Sequence, residues 1–205
     1  MKWIFVALLG LASCNEHKSQ PSPRPTLVPK DSNLLKTDSL NPFSPVDVSP
    51  MDMSYFPVDY PVQKMSGKTN KPPVVRIIYS RPHRQGRRIF GSLLKYGEPW
   101  RLGANEATEI EFFQTVAIQN KNVPKGKYVI YTIPYQDKWT IALNTNLNTW
   151  GLRPNPESDV FRFDIPIQIT NQPVEYFSMV FQKNDTGADL VMAWDTVVAR
   201  LPIQF

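Results

Sequence analysis

"DVFRFDIPIQIT", residues 159–170, decides how the fold is read. Phe161, Phe163, Ile165, Ile167 and Ile169 alternate with Arg162, Asp164, Pro166, Gln168 and Thr170, a period of two that sends the two sets to opposite faces of an extended chain. Val197, Ala199, Leu201, Ile203 and Phe205 repeat the pattern at the end of the sequence, and Trp139, Ile141, Leu143 and Leu190, Met192, Trp194 do so in shorter runs. Turn-forming stretches lie between such runs: "QNKN" at 119–122, "YQDK" at 135–138 and "NDTG" at 184–187. No segment carries a sustained helical period. Short alternating strands joined by turns predict an all-β body over residues 74–205, an antiparallel β-sandwich or jelly roll, with an open barrel as the other closure.

Outward from this body the composition changes. Residues 46–73 hold "SPMDMSYFPVDYPV" (49–62), where Met51, Met53, Tyr55, Phe56, Val58 and Tyr60 are too apolar to stay in water. They predict an extended arm, interrupted by Pro57 and Pro61, that packs on the body as an edge element, followed by a linker. A waiting protein partner is the other use of such a patch. Residues 14–45 are polar and proline-rich, a composition that cannot bury enough apolar surface to offset ordering and so predicts a disordered N-terminal tether.

The first thirteen residues, "MKWIFVALLGLAS", have a positive start, an apolar middle and a small-residue end, the form of a secretory signal peptide. The apolar run is too short for a permanent span, which needs roughly 20 residues. Leu11, Ala12 and Ser13 lead into Cys14, an arrangement like a bacterial lipobox, in which the cysteine thiol is acylated by chains such as palmitate. Each buried methylene contributes about 0.8 kcal/mol, so two or three chains anchor a protein to a lipid bilayer where one does not. The expectation is an exported lipoprotein of the cell envelope, held on a bacterial membrane at the periplasm or the outer-membrane surface.

Counting removes several chemistries. Cys14 is the only cysteine, which excludes an intramolecular disulfide. The two histidines are His17 and His83, so a zinc site built from several histidines or thiolates is excluded, no metal site is expected, and any His-assisted nucleophile in the body would have to use His83. No cofactor motif is present. A net charge of +5 is too mild to argue for nucleic acid, and no nucleic-acid motif accompanies it. "NDTGAD" (184–189) lacks the acidic spacing of a calcium loop.

The functional candidates lie in "YSRPHRQGRRIFGSLLKYGEPWRLGANEATEIEF", residues 79–112. Its glycines at 91, 97 and 103 permit turns, so the strip predicts loops over a sheet edge. Arg101 offers a planar donor fork and Asn105 an amide beside the Trp100 indole, a set suited to a carboxylate, a phosphate or a sugar. The plainer reading pairs Arg101 with Glu106 or Glu109 and leaves Trp100 and Asn105 to shape the loop. Arg81, His83, Arg84, Arg87 and Arg88 form a basic cluster around Gly86, readable as a solvated hairpin tip or as a seat for anionic glycolipid groups. Carboxylate catalysis on a glycan would use Glu98 with Glu106, or Glu109 with Glu111, although Glu109 and Glu111 also fit the solvent face opposite Ile110 and Phe112.

This segment resembles the bacterial family called domain of unknown function 2911. The resemblance runs through Tyr79, Ser80, Arg81, Pro82, Gly86, Arg87, Ile89, Phe90 and Gly91, then Leu93, Tyr96, Gly97, Trp100, Arg101, Gly103, Ala104, Asn105, Ala107 and Thr108. "VPKGKYVIYTIP", "WTIALN" and "TWG" extend it toward the end of the chain, while Gln85 and Glu106 depart from or vary within the pattern. It implies no reaction. Tyr79, Arg81, Arg87 and Thr108 join Trp100, Arg101 and Asn105 as binding candidates. Three readings follow: a non-enzymatic protein binding a glycan, an anionic small ligand or an envelope protein partner; a glycan hydrolase using Glu98 and Glu106; and a structural assembly factor. Trp139 and Trp150 bracket "TIALNTNLNT", and exposure of either ring in a groove would favour a sugar-stacking site.

Overall fold

The computed structural model describes residues 47–205; the signal peptide, Cys14 and the tether of residues 14–45 lie outside the described residues. Nine strands are present among the described residues: β1 (Met51–Phe56), β2 (Val75–Ser80), β3 (Glu109–Phe112), β4 (Val116–Ile118), β5 (Lys121–Val123), β6 (Gly126–Pro134), β7 (Lys138–Asn144), β8 (Asp159–Lys183) and β9 (Gly187–Gln204). Every strand pairing is antiparallel, and the strands join in the order β1-β2-β3-β6-β7-β8-β9-β4-β5. The all-β expectation holds, and the two packed layers are halves of one continuous open sheet.

β8 explains how one sheet makes two layers. Its first part, Asp159–Pro166, pairs with β7, and from Ile167 onward it pairs with β9. The register breaks between Ile169 and Val174, where the strand passes from one half to the other. Here the alternation read from sequence fails: Phe163 and Ile165 are buried, but Ile169 is 68% exposed because it sits at this corner. β9 shifts its period at Asp195 (φ 52°), burying Ala188, Leu190, Met192 and Trp194 before it and Val197, Ala199, Leu201 and Ile203 after it.

Face-to-face packing is carried by specific contacts. The Phe56 and Phe205 rings lie 5.0 Å apart, and the Ser54 hydroxyl on β1 donates to the Met179 carbonyl on β8 at 2.7 Å. Turn chemistry closes the hairpins. Gln119 and Asn120 both adopt positive φ (48° and 62°), the backbone that a two-residue hairpin between twisted strands requires. At the β8–β9 turn the Asn184 side chain accepts the Thr186 N–H, and Gly187, the first residue of β9, lies so close to that strand's far end that a Cβ would stand 2.2 Å from the Ile203 oxygen.

β1 adds to the sheet edge against β2, with Met51 opposite Ser80. After Pro57 the chain does not stay extended: Tyr60–Met65 form the short helix α1, which has no buried residue. With Pro61 in its first turn the helix gives up no useful N–H.

Candidate functional site

Strands β2 and β3 are neighbours in the sheet, yet 28 residues, 81–108, separate them in sequence. This excursion folds back over one end of the layers. Its apolar residues plug the core: Ile89 and Leu102 are fully buried, and Phe90 and Trp100 nearly so. Trp100 bridges to β6, exchanging backbone hydrogen bonds with Thr132 at 2.7 and 2.9 Å. Its ring stacks on Trp194 of β9 (5.4 Å, 23°) and meets Phe177 of β8 edge-on at 4.8 Å, so backbone and ring of one residue together tie three strands. Its N–H donates to the Gly103 carbonyl at 3.1 Å.

Strain marks the turn beyond it. Leu102 has φ 53° while fully buried, a left-handed conformation that non-glycine residues rarely adopt. At Gly103 a Cβ would stand 3.1 Å from both the Ser80 carbonyl and the Thr108 hydroxyl, so the loop lies directly on β2.

Outside this plug opens a cavity of about 480 Å³. Trp100, Trp194, Leu93, Leu94, Pro82, Pro99, Val48 and Leu152 provide its apolar walls; Ser49, His83, Gln85, Arg87 and Arg101 bring polar groups. Among the described residues no carboxylate lines it. Arg101 donates to the Trp150 carbonyl at 3.1 Å, and burial pushes its pKa below the ordinary arginine value. Arg87 is braced by carbonyls, donating to Arg84 (2.9 Å) and His83 (2.5 Å). Neither guanidinium has a carboxylate within ion-pair distance among the described residues. The internal pairing of Arg101 with Glu106 or Glu109 is absent, and Glu109 pairs with Lys127 at 3.3 Å instead.

Of the candidates from sequence, Arg87, Trp100 and Arg101 meet at this cavity. The other four support its surroundings. The buried Tyr79 hydroxyl accepts the Met179 N–H at 2.9 Å and lies 3.2 Å from the Asp52 carboxylate. Arg81 pairs with Asp52 at 3.3 Å and donates to the Ser178 hydroxyl. Thr108, fully buried, donates to the Leu102 carbonyl at 2.8 Å and so holds the strained turn. Asn105, itself at φ 59°, donates to Asp47 (2.6 Å) and Ser49 (3.4 Å), pinning the incoming segment whose Val48 and Ser49 form one cavity wall.

The basic cluster is therefore divided. Arg81 and Arg84 are paired with acids, Arg87 faces the cavity, and Arg88 is exposed. Glu98 is exposed in the turn after Lys95, whereas Glu106 faces a different cleft with Glu109; the structure does not bring Glu98 and Glu106 into one described cleft. Glu111 pairs with Arg76. Among the described residues no group of three or more His, Cys, Asp or Glu is placed to hold a metal ion.

Two features escaped sequence reasoning. Asp195, at φ 52° and almost fully buried, accepts from Arg84 Nε at 2.7 Å and from the Ile89 N–H at 3.1 Å, fastening the loop to β9. An aspartate inside an apolar strand was the available signal. The second is the cavity wall that Gly151 and Leu152 contribute: the sequence singles out the neighbouring Trp150 and the tripeptide "TWG" without placing this loop at the cavity.

No curated protein and no solved structure matches the chain. The model of one family, described as a protein of unknown function (DUF2911), matches residues 61–203 and so takes in β2 to β9, the plugging loop and most of the cavity wall. The chain belongs to that family.

Proposed function

We propose that this protein is an envelope lipoprotein, acylated at Cys14, whose β body binds a small anionic ligand and does not turn it over. The observation that carries the reading is the lining of the cavity: two guanidiniums, Arg87 and Arg101, without carboxylate partners among the described residues, beside an apolar floor of Trp100, Trp194, Leu93 and Leu94. Arg101 uses one N–H on Trp150, which leaves others of its five donors for a carboxylate or phosphate. Partial burial strengthens that attraction, because less water competes for the charge. An apolar wall with a few convergent donors is the usual make-up of a small-molecule site. A carboxylate or phosphate borne on a compact sugar fits both the charge and the volume.

Support for binding over hydrolysis comes from the separate positions of Glu98 and Glu106, since a glycosidase needs its two carboxyl groups on either side of one bond. For the anchor, the support is the Leu-Ala-Ser-Cys sequence after an apolar run. Thermal-shift assays of the full chain with glucose 6-phosphate, glucuronate and glucose test the ligand class: the two anions are expected to raise Tm more than uncharged glucose does, and Arg87→Ala/Arg101→Ala to abolish that difference. Mass spectrometry of the cell-derived protein tests the anchor, with diacylated Cys14 as the expected N-terminus and a bare thiol as the contrary result.

A further inference from the structure

The loop that closes the cation-lined cavity has a second face. Asn148, Thr149 and Trp150 line, with Glu106, Ala107 and Glu109, a separate cleft of about 260 Å³. Trp150 is 56% exposed there, whereas Trp100, Trp139 and Trp194 are all buried. Among the described residues its ring makes no aromatic pair and no cation–π contact. Single exposed apolar side chains are common; what marks this one is an amphipathic indole at the lip of a cleft that also presents polar groups.

The backbone beneath the ring is nonetheless held firmly. The Trp150 carbonyl accepts from Arg101, the Gly151 N–H donates to the Thr149 hydroxyl at 2.9 Å, and the Ala107 N–H donates to the Thr149 carbonyl at 3.3 Å. Gly151 has φ 73° and lies so close that a Cβ would stand 2.9 Å from that of Ala107. The backbone is hydrogen-bonded on both sides and the ring uncovered, a combination that lowers the ordering cost of binding.

The polar groups around the ring accept hydrogen bonds. Glu106 is in no ion pair among the described residues, Glu109 is matched to Lys127, and Asn148 adds an exposed amide. Hydroxyls donate to carboxylate and amide oxygens, and the C–H face of a pyranose packs on an indole ring. The carboxylates repel anions. We propose that this cleft is a carbohydrate-binding subsite for a neutral or amino-bearing pyranose unit, distinct in residues and in charge from the anion cavity across the loop.

The test titrates cellotetraose, chitotetraose and chitosan tetramer into the full chain held in a detergent without a sugar headgroup, followed by tryptophan fluorescence and calorimetry. Saturable binding of at least one probe is expected. Trp150→Ala should weaken it at least tenfold, Trp150→Tyr should retain most of it, and Glu106→Gln should weaken it several-fold, all with unchanged circular dichroism. Absence of saturable binding by all three, or wild-type affinity in Trp150→Ala, overturns the proposal. Titration of glucose 6-phosphate into the same samples reads the anion cavity separately, so either site can fail without the other.

Discussion

The Tyr79 hydroxyl on β2 accepts the backbone N–H of Met179 on β8 at 2.9 Å, so one phenol oxygen joins the two halves of the folded sheet at a point where no strand ladder does. The ring is buried and packs edge-on against Phe177 at 5.7 Å. Tyr79→Phe keeps the packing and strands the Met179 N–H. The expected loss is about 1–3 kcal/mol, the cost of a buried unsatisfied donor, measured by urea unfolding.

The same hydroxyl gives the fold a response to alkali. Burial pushes the Tyr79 pKa up to about 12, with Asp52 adding to the rise against the Met179 N–H, which lowers it. Burial also takes Tyr131 to about 12, aided by its hydrogen bond to Asp159 at 2.6 Å. An unfolded tyrosine titrates near about 10. The folded state therefore holds these protons more tightly than the unfolded chain. Their contribution is complete below pH ~10 and is lost as pH rises through about 12. Melting temperature should fall over that window, and less steeply in Tyr79→Phe and Tyr131→Phe than in the wild type.

Asp195 should be the costliest polar position to remove. Asp195→Ala strips a carboxylate from Arg84 and from the Ile89 N–H and leaves alanine at φ 52°. Arg84 is only partly buried and regains water, so the expected loss is about 2–3 kcal/mol rather than the full penalty of a stranded charge. Asp195→Asn tolerates the backbone and keeps part of the hydrogen bonding. It should recover about half of that loss in the same unfolding measurement.

Gly151 couples the two faces of its loop. Gly151→Ala would place a Cβ 2.9 Å from that of Ala107 and 3.1 Å from that of Arg101, at a φ suited to glycine. The expected cost is about 1–2 kcal/mol, with weaker binding on both sides of the loop. Retention of both affinities would show that the loop backbone does not set either site.

Much of the scaffold was legible because a half-buried strand has to alternate. Trp139, Ile141 and Leu143 are buried as their spacing requires, and the turns at Tyr135–Lys138 and Asn184–Gly187 fall where polar residues interrupt the pattern. Ile169 was misread because a period of two says nothing about where a long strand changes layers. The site was harder to read. Trp100 and Arg101 are adjacent in sequence but face the core and the cavity mouth, and their partners Trp194, Leu152 and Trp150 arrive from distant strands and loops. Tyr79, Arg81 and Thr108 belong to the same motif as the cavity residues, yet they fasten the loop. Residue type alone does not separate a side chain that holds a wall from one that faces the space inside it.

Calorimetric titration of glucose 6-phosphate into the full chain and into its Arg87→Ala/Arg101→Ala double variant tests the anion cavity most directly. The wild type should bind one equivalent with an affinity that falls as salt rises, and the double variant should lose at least tenfold, about 1.4 kcal/mol, with its melting temperature little changed. Equal affinity in the two proteins, or heat indistinguishable from dilution in both, would contradict the assignment.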